Sequence, residues 1–220
     1  MNALIARRSG NGNKPTFFWI PNADLPGFTI ACLYLNEAGG KPAVAVGLGC
    51  ALQLPEAIYK AWLEAAGVRQ LAAMALIELP LTAQKLRTIA RGIYDLDTNV
   101  CWYADGRGAD LVRERFASSN PLAASELPPD GPRETPAAIA HLVSAFDETG
   151  KEVYQQDLTT PDIAELGFVE ERVWSPDTLS LCMPSAPPAA HGRFQAYGGL
   201  AHGHPAPLSL SGICTRWLSW

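Results

Sequence analysis

The stretch from Val44 to Ala75 constrains this chain more than any other. Ala43-Val44-Ala45-Val46 is a short apolar run that ends at Gly47-Leu48-Gly49, and Pro55 then stands where the first turn of a helix tolerates it. Beyond it Ile58, Ala61, Trp62, Ala65, Val68, Leu71, Ala72 and Ala75 recur at steps of three and four, which predicts a helix to about Leu79. A buried strand, a glycine turn and a long one-sided helix can be satisfied only by laying the helix on a sheet.

The flanking sequence supplies that sheet. Phe17-Phe18-Trp19-Ile20 and Phe28 to Leu35 are rich in aromatic and β-branched residues, and Pro21, Pro26 and Gly27 separate them, so two more strands are expected. Downstream, helical patterns cover roughly Gly108 to Phe116 and Pro136 to Gly150, joined by a Pro/Ser/Glu-rich surface connection from Asn120 to Pro136. Val153 to Leu158 and Phe168 to Trp174 read as strands, with a turn or helix opening at Thr160-Pro161-Asp162. The alternation predicts an α/β (α+β) fold, a β-sheet with packed helices. Its expected bounds are an N-terminal tail over 1–16, an α/β domain over 17–177 and a tail over 178–220. That last segment holds no carboxylate, but five Pro, five Gly, His191, His202, His204 and two Arg, and it ends in Trp217-Leu218-Ser219-Trp220.

Composition narrows the function classes. A length of 220 residues with 48% hydrophobic and 18% charged residues describes one globular domain, or two small ones, with an unusually uncharged surface. Seventeen basic against 22 acidic side chains, a net charge of −5, argue against nucleic acid as a general partner. The apolar run from Leu71 to Leu81 is interrupted by Glu78 and Pro80 and is too short to span a membrane. Arg7-Arg8 is followed by polar residues where an export signal needs an apolar region. Cys32, Cys50, Cys101, Cys182 and Cys214 are odd in number and never spaced as C-x-x-C, which suits reduced thiols in a cytoplasm.

Several residue groups are candidates for chemistry. Gly47-x-Gly49 between strand and helix is a place where backbone amides approach a phosphate, though no third glycine completes a dinucleotide fingerprint. Glu56, Lys60 and Glu64 follow at four-residue steps, so they share a stripe about 80° wide on the helix. They are either a solvated face with ordinary ion pairs, or Glu64 and Arg69 face a site where carboxylate holds metal and guanidinium holds phosphate. His191, His202 and His204 with Cys182 and Cys214 fit no common zinc spacing, and no nucleophile elbow supports hydrolase chemistry.

Two stretches together resemble the YcaO-domain family, whose best-known members are ATP-dependent enzymes that activate backbone amides in ribosomally made peptides. Val46-Gly47-Leu48-Gly49-Cys50-Ala51, followed by Pro55 to Arg69, is similar to the family's strand, glycine turn and helix with a "RALTEAAQSR"-like signature. Asp157 to Phe168, then Val173 to Pro176 and Arg193, is similar to its "DLT-x-x-D…LG…V…P" segment and the arginine after it. Pro26-Gly27-Phe28 and Asn99 to Asp105 stand in the family's order.

The resemblance implies that Glu56, Glu64, Arg69 and Arg193 face nucleotide or substrate, with Glu64 a candidate magnesium ligand. It covers the C-terminal half of a YcaO domain; the glutamate-rich helices that hold the magnesium ions of ATP are not found, and Gly67 stands where the signature has Gln. One glutamate is too few ligands for a triphosphate-bound cation. ATP and Mg are therefore expected only with a complementary chain, either YcaO-like or E1-like. The expected role is as a truncated cyclodehydratase subunit, inactive alone, that helps turn Cys, Ser or Thr of a precursor peptide into azolines in the cytoplasm. The alternatives are a non-catalytic peptide-binding or scaffold subunit with a degenerate nucleotide site, and a stand-alone nucleotide-binding domain built on Gly47-x-Gly49.

Overall fold

A computed structural model describes residues 14–22, 24–36, 39–78, 92–117, 120–179 and Ser185. Strands β1 (Thr16–Ile20), β2 (Phe28–Leu35) and β3 (Val44–Ala51) form an antiparallel sheet in the order β1-β2-β3. Phe17 faces Cys32 across the first pair, and Gly47 faces Cys32 across the second. Helix α1 (Leu54–Glu78) leaves β3 through the short turn Leu52-Gln53 and runs back across the sheet.

Side-chain alternation assigns the two faces of the sheet. Phe28, Ile30, Cys32 and Tyr34 of β2 and Ala45 of β3 meet Ala57, Ala61, Trp62 and Ala65 of α1, with Phe17 and Trp19 packed at the margin. The opposite face presents Leu33 and Val44 to Ala109 and Val112 of a shorter helix. Among the described residues the next helices after α1 are α2 (Leu96–Ala104) and that shorter one, α3 (Ala109–Ala117). Phe18 and Phe116 close this second layer with ring centroids 4.1 Å apart. Helix α2 crosses the far half of α1 through Val100 and Ala104 against Ala72 and Leu76. Asp105, which ends α2, pairs with Lys41 of the β2–β3 loop and with Arg107 at 3.1 Å.

Here the expectation of a glycine turn is corrected. Strand β3 runs on through Gly47-Leu48-Gly49 to Ala51, so both glycines lie inside a strand. The reason is steric. A Cβ at Gly47 would sit 2.1 Å from the Ala65 nitrogen, and one at Gly49 would sit 2.3 Å from the Ala57 carbonyl oxygen. With Ala57, Ala61 and Ala65 of α1 set against them, and the Lys60 Cβ also 2.9 Å from a Cβ placed at Gly49, the two backbones approach more closely than a side chain at either glycine allows.

The remaining described residues form a second region. The expected connection after Asn120 contains one 3-10 turn (Ala124–Glu126) and leads to α4 (Thr135–Glu148), with Pro136 in its first turn. Strands β4 (Tyr154–Asp157) and β5 (Glu171–Trp174) pair antiparallel around the short helix α5 (Pro161–Glu165). The second strand is therefore shorter than the expected Phe168 to Trp174. Tyr154 and Trp174 stack across the pair at 4.9 Å, and every residue of both strands is exposed. The base of this arm is fixed by Lys151, whose buried ammonium donates to Asp24 Oδ2 at 2.9 Å, to the Asp24 carbonyl at 3.0 Å and to Thr149 at 2.7 Å.

The fold is thus mixed α/β with antiparallel sheets and packed helices. Among the described residues no helix is long and apolar enough to cross a membrane. Arg7-Arg8, Cys182, His191, Arg193, His202, His204, Cys214 and Trp217 to Trp220 lie outside the described residues.

Candidate functional site

The outer edge of β3 and the polar stripe of α1 come together. Antiparallel β3 bonds to β2 on one side, and among the described residues no strand pairs with its other side. Along that open side Lys60 pairs with Glu56 at 2.7 Å, both half exposed. One turn further, Glu64 Oε2 accepts the Leu48 N–H at 2.6 Å. The Lys60 ammonium also lies 3.4 Å from the Cys50 carbonyl oxygen, which it meets as a donor. The close Gly/Ala packing between β3 and α1 is what lets these side chains reach round the strand.

Arg69 does not join them. It lies five residues beyond Glu64, about 140° further round the helix, and its guanidinium carbon sits 5.3 Å from the centroid of the Tyr34 ring. Trp62 Nε1 donates to the Tyr34 hydroxyl at 2.9 Å, so the ring is held in place for this cation–π contact. The structure therefore unites Glu56, Lys60 and Glu64 and sends Arg69 elsewhere. Arg193 lies outside the described residues.

The start of α1 carries a group the sequence reading missed. Asp130 Oδ1 accepts the Leu54 N–H at 2.8 Å, while Gly131 N–H donates to the Leu52 carbonyl at 2.8 Å. Gln53 Nε2 closes the clamp on the carbonyls of Gly131 and Pro132 at 2.9 and 3.0 Å. A carboxylate from the chain itself thus occupies the helix end where a phosphate was anticipated, and with β3 continuous through Gly47 and Gly49 the dinucleotide reading loses both its supports. The signal for the clamp was the turn-forming Pro128-Pro129-Asp130-Gly131-Pro132, whose Asp is a preferred helix cap.

The chemistry open to the site follows from its donors. Hard divalent cations want about six oxygens, several of them from carboxylates or phosphates. Among the described residues no three His, Cys, Asp or Glu side chains cluster in a way that could hold such an ion. Glu56 and Glu64 are already engaged, one with Lys60 and the other with a backbone amide. The buried Cys32 thiol beneath the site is pushed up to about 12 by desolvation, so it is no nucleophile. Cys50, by contrast, is exposed and 3.4 Å from the Thr29 hydroxyl.

The comparisons with known proteins agree with this architecture. A family model described as YcaO cyclodehydratase, ATP- and Mg2+-binding, matches residues 1–179. Among solved structures, that of the heterocyclase TruD superposes with a TM-score of 0.55 at 19% sequence identity, covering 81% of this chain and 22% of that one. The chain therefore spans about a fifth of the length of that heterocyclase. No curated protein sequence matches it.

Proposed function

The chain belongs to the YcaO family, and from that premise we propose that it serves in azoline-forming modification of a ribosomally made peptide, together with a partner chain. The observation that carries this reading is the family match over residues 1–179, joined to a β3–α1 unit that sets Glu56 and Glu64 along one exposed strand edge. The family is described as binding ATP and Mg2+, and the described residues do not fit a magnesium ion by themselves. The remaining carboxylates would come from a complementary YcaO-like or E1-like protein, so the chain is inactive alone.

Reconstitution tests this. The protein is mixed with candidate partners, precursor peptide and ATP, and the peptide is weighed by mass spectrometry. Loss of about 18 Da per ring, the water expelled when a Cys, Ser or Thr side chain closes on the preceding amide, supports the reading. Absence of that loss with every partner that co-purifies with the chain sinks it.

A specific observation favours a second reading, a non-catalytic peptide-binding or scaffold subunit. Asp130 fills the start of α1, and Glu64 is bound to the Leu48 amide. Under that reading product formation in the reconstituted system survives Glu64→Gln and Arg193→Ala, whereas a catalytic contribution collapses with folding intact.

A further inference from the structure

We propose that the open edge of β3 is the docking site for an extended segment of the precursor peptide, which joins the sheet as its next strand. The inference rests on the peptide-modifying role argued above and adds where and how the peptide is held.

The edge already contains stand-ins for that strand. Leu48 and Cys50 turn their main-chain groups away from β2, two residues apart, as alternate residues of an edge strand do. The Glu64 carboxylate accepts the Leu48 N–H at 2.6 Å, where a neighbouring strand would bring a carbonyl. The Lys60 ammonium approaches the Cys50 carbonyl at 3.4 Å, where the same strand would bring an N–H. One acceptor and one donor are thus supplied by side chains at the spacing that a regular strand supplies from its backbone. Both are exposed and exchange with a peptide backbone at little cost.

Within β3 itself no residue blunts the edge. Val44 to Ala51 contains no proline and no charged residue, the usual devices that blunt an edge. The opposite edge, β1, is flanked by Pro15 and Pro21, residues that blunt it. On the face away from α1, Leu48 is 44% exposed and Cys50 is exposed, so alternate side chains of an added strand find an apolar and a soft surface. The Glu56-Lys60-Glu64 stripe alternates in sign above the same edge, so it favours neither sign of net charge in the added segment, and β-branched residues such as Thr and Val suit its extended backbone.

Fluorescence anisotropy with the full chain and a short synthetic Thr/Val/Ser peptide tests this. The peptide is made unmodified, N-methylated on the amides of one strand edge, and N-methylated on those of the other. One methylated form should lose about tenfold or more in affinity while the other stays close to the parent, as strand addition demands. Glu64→Ala, which removes the competing acceptor, should bind about threefold or more tightly, a gain that a misfolded protein does not show. Leu48→Pro, checked for an unchanged unfolding midpoint, should weaken binding about tenfold. Equal binding of both methylated forms, no gain with Glu64→Ala, or a stable dimer in sedimentation that the peptide does not dissociate overturns the proposal. Peptide docking without ATP-dependent mass loss leaves this inference standing and removes the enzymatic reading; mass loss without docking does the reverse.

Discussion

Asp130 holds the first turn of α1 by accepting the Leu54 N–H at 2.8 Å across 76 positions of sequence. The second region of the chain is therefore wired into the β3–α1 junction, and α1 depends on a cap it does not itself encode. Asp130→Ala should cost about 0.5–2 kcal/mol in urea unfolding, the usual worth of an N-terminal cap, and Asp130→Asn should recover most of it. An unchanged midpoint for the alanine variant would show that water satisfies the amide equally well.

Gly47 and Gly49 admit no side chain. Gly47→Ala and Gly49→Ala should each destabilise by about 1–3 kcal/mol or more, since the added methyl would meet backbone atoms of α1, which yield less readily than side-chain ends. Gly67→Ala is the control: its Cβ meets nothing within 4 Å, and a mid-helix glycine replaced by alanine should gain up to about 1 kcal/mol. Thermal or urea unfolding of the three variants reads both signs.

Lys151 ties the arm to the sheet region through Asp24, and its side chain is only 6% exposed. Lys151→Met should cost about 1–3 kcal/mol by removing the ammonium from the partly solvated Asp24 carboxylate and the Asp24 carbonyl. Pairing it with Asp24→Asn should recover part of that loss in a double-mutant cycle. Strict additivity would mean that the two groups do not stabilise each other.

The cysteines should differ sharply toward a thiol reagent. Cys32, with its thiol pushed up to about 12 by burial, and the fully buried Cys101 should stay unmodified in the folded protein, while exposed Cys50 reacts. Mass mapping after brief alkylation at neutral pH reads the order. Equal labelling of Cys32 and Cys50 would contradict the packing of β2 against α1.

The arm carries a pH signature. The Thr159 side chain and N–H hold the Asp157 carboxyl below the usual aspartate range, and the Thr160 hydroxyl does the same for Asp162. Groups with a lowered folded pKa stabilise above their unfolded value and lose that contribution as pH falls through the folded one. The turn after β4 should therefore hold at neutral pH and loosen only below about pH 4. Tyr154 runs the other way, since its hydrogen bond to Glu152 raises it, and that contribution is lost at alkaline pH. Carboxyl and ring NMR titrations check both directions. Asp157 titrating at the ordinary aspartate value would remove the Thr159 contact from solution.

How far these features were legible in the sequence depends on what each residue signals locally. The periodicity of Ile58, Ala61, Trp62, Ala65 and Ala72 reports α1 because its buried stripe is long, and the aromatic runs report β1 and β2. Gly47 and Gly49 mislead because glycine marks a turn as readily as a close backbone approach, and only the α1 backbone packed against them decides. Helix α2 went unread because its nine residues carry little periodicity; its one clear signal is the cap, Asp95 accepting the Thr98 N–H at 2.7 Å. The Glu56-Lys60-Glu64 stripe was legible as a stripe. That it borders an open strand was not, because strand order is a long-range property that no local pattern contains. Arg69 illustrates the same limit: its partner, Tyr34, is 35 positions away.

The arm beyond Lys151 also sets how the molecule meets a protease. Trypsin needs a basic side chain on an accessible, locally yielding backbone. Lys151 is sealed against Asp24 and offers none, whereas Arg172 sits mid-strand in a fully exposed two-stranded pair. Limited digestion should cut after Arg172 before Lys151, splitting β5 while the β1-β2-β3 sheet stays paired. The order of cleavage would then report whether the arm has been covered by another molecule.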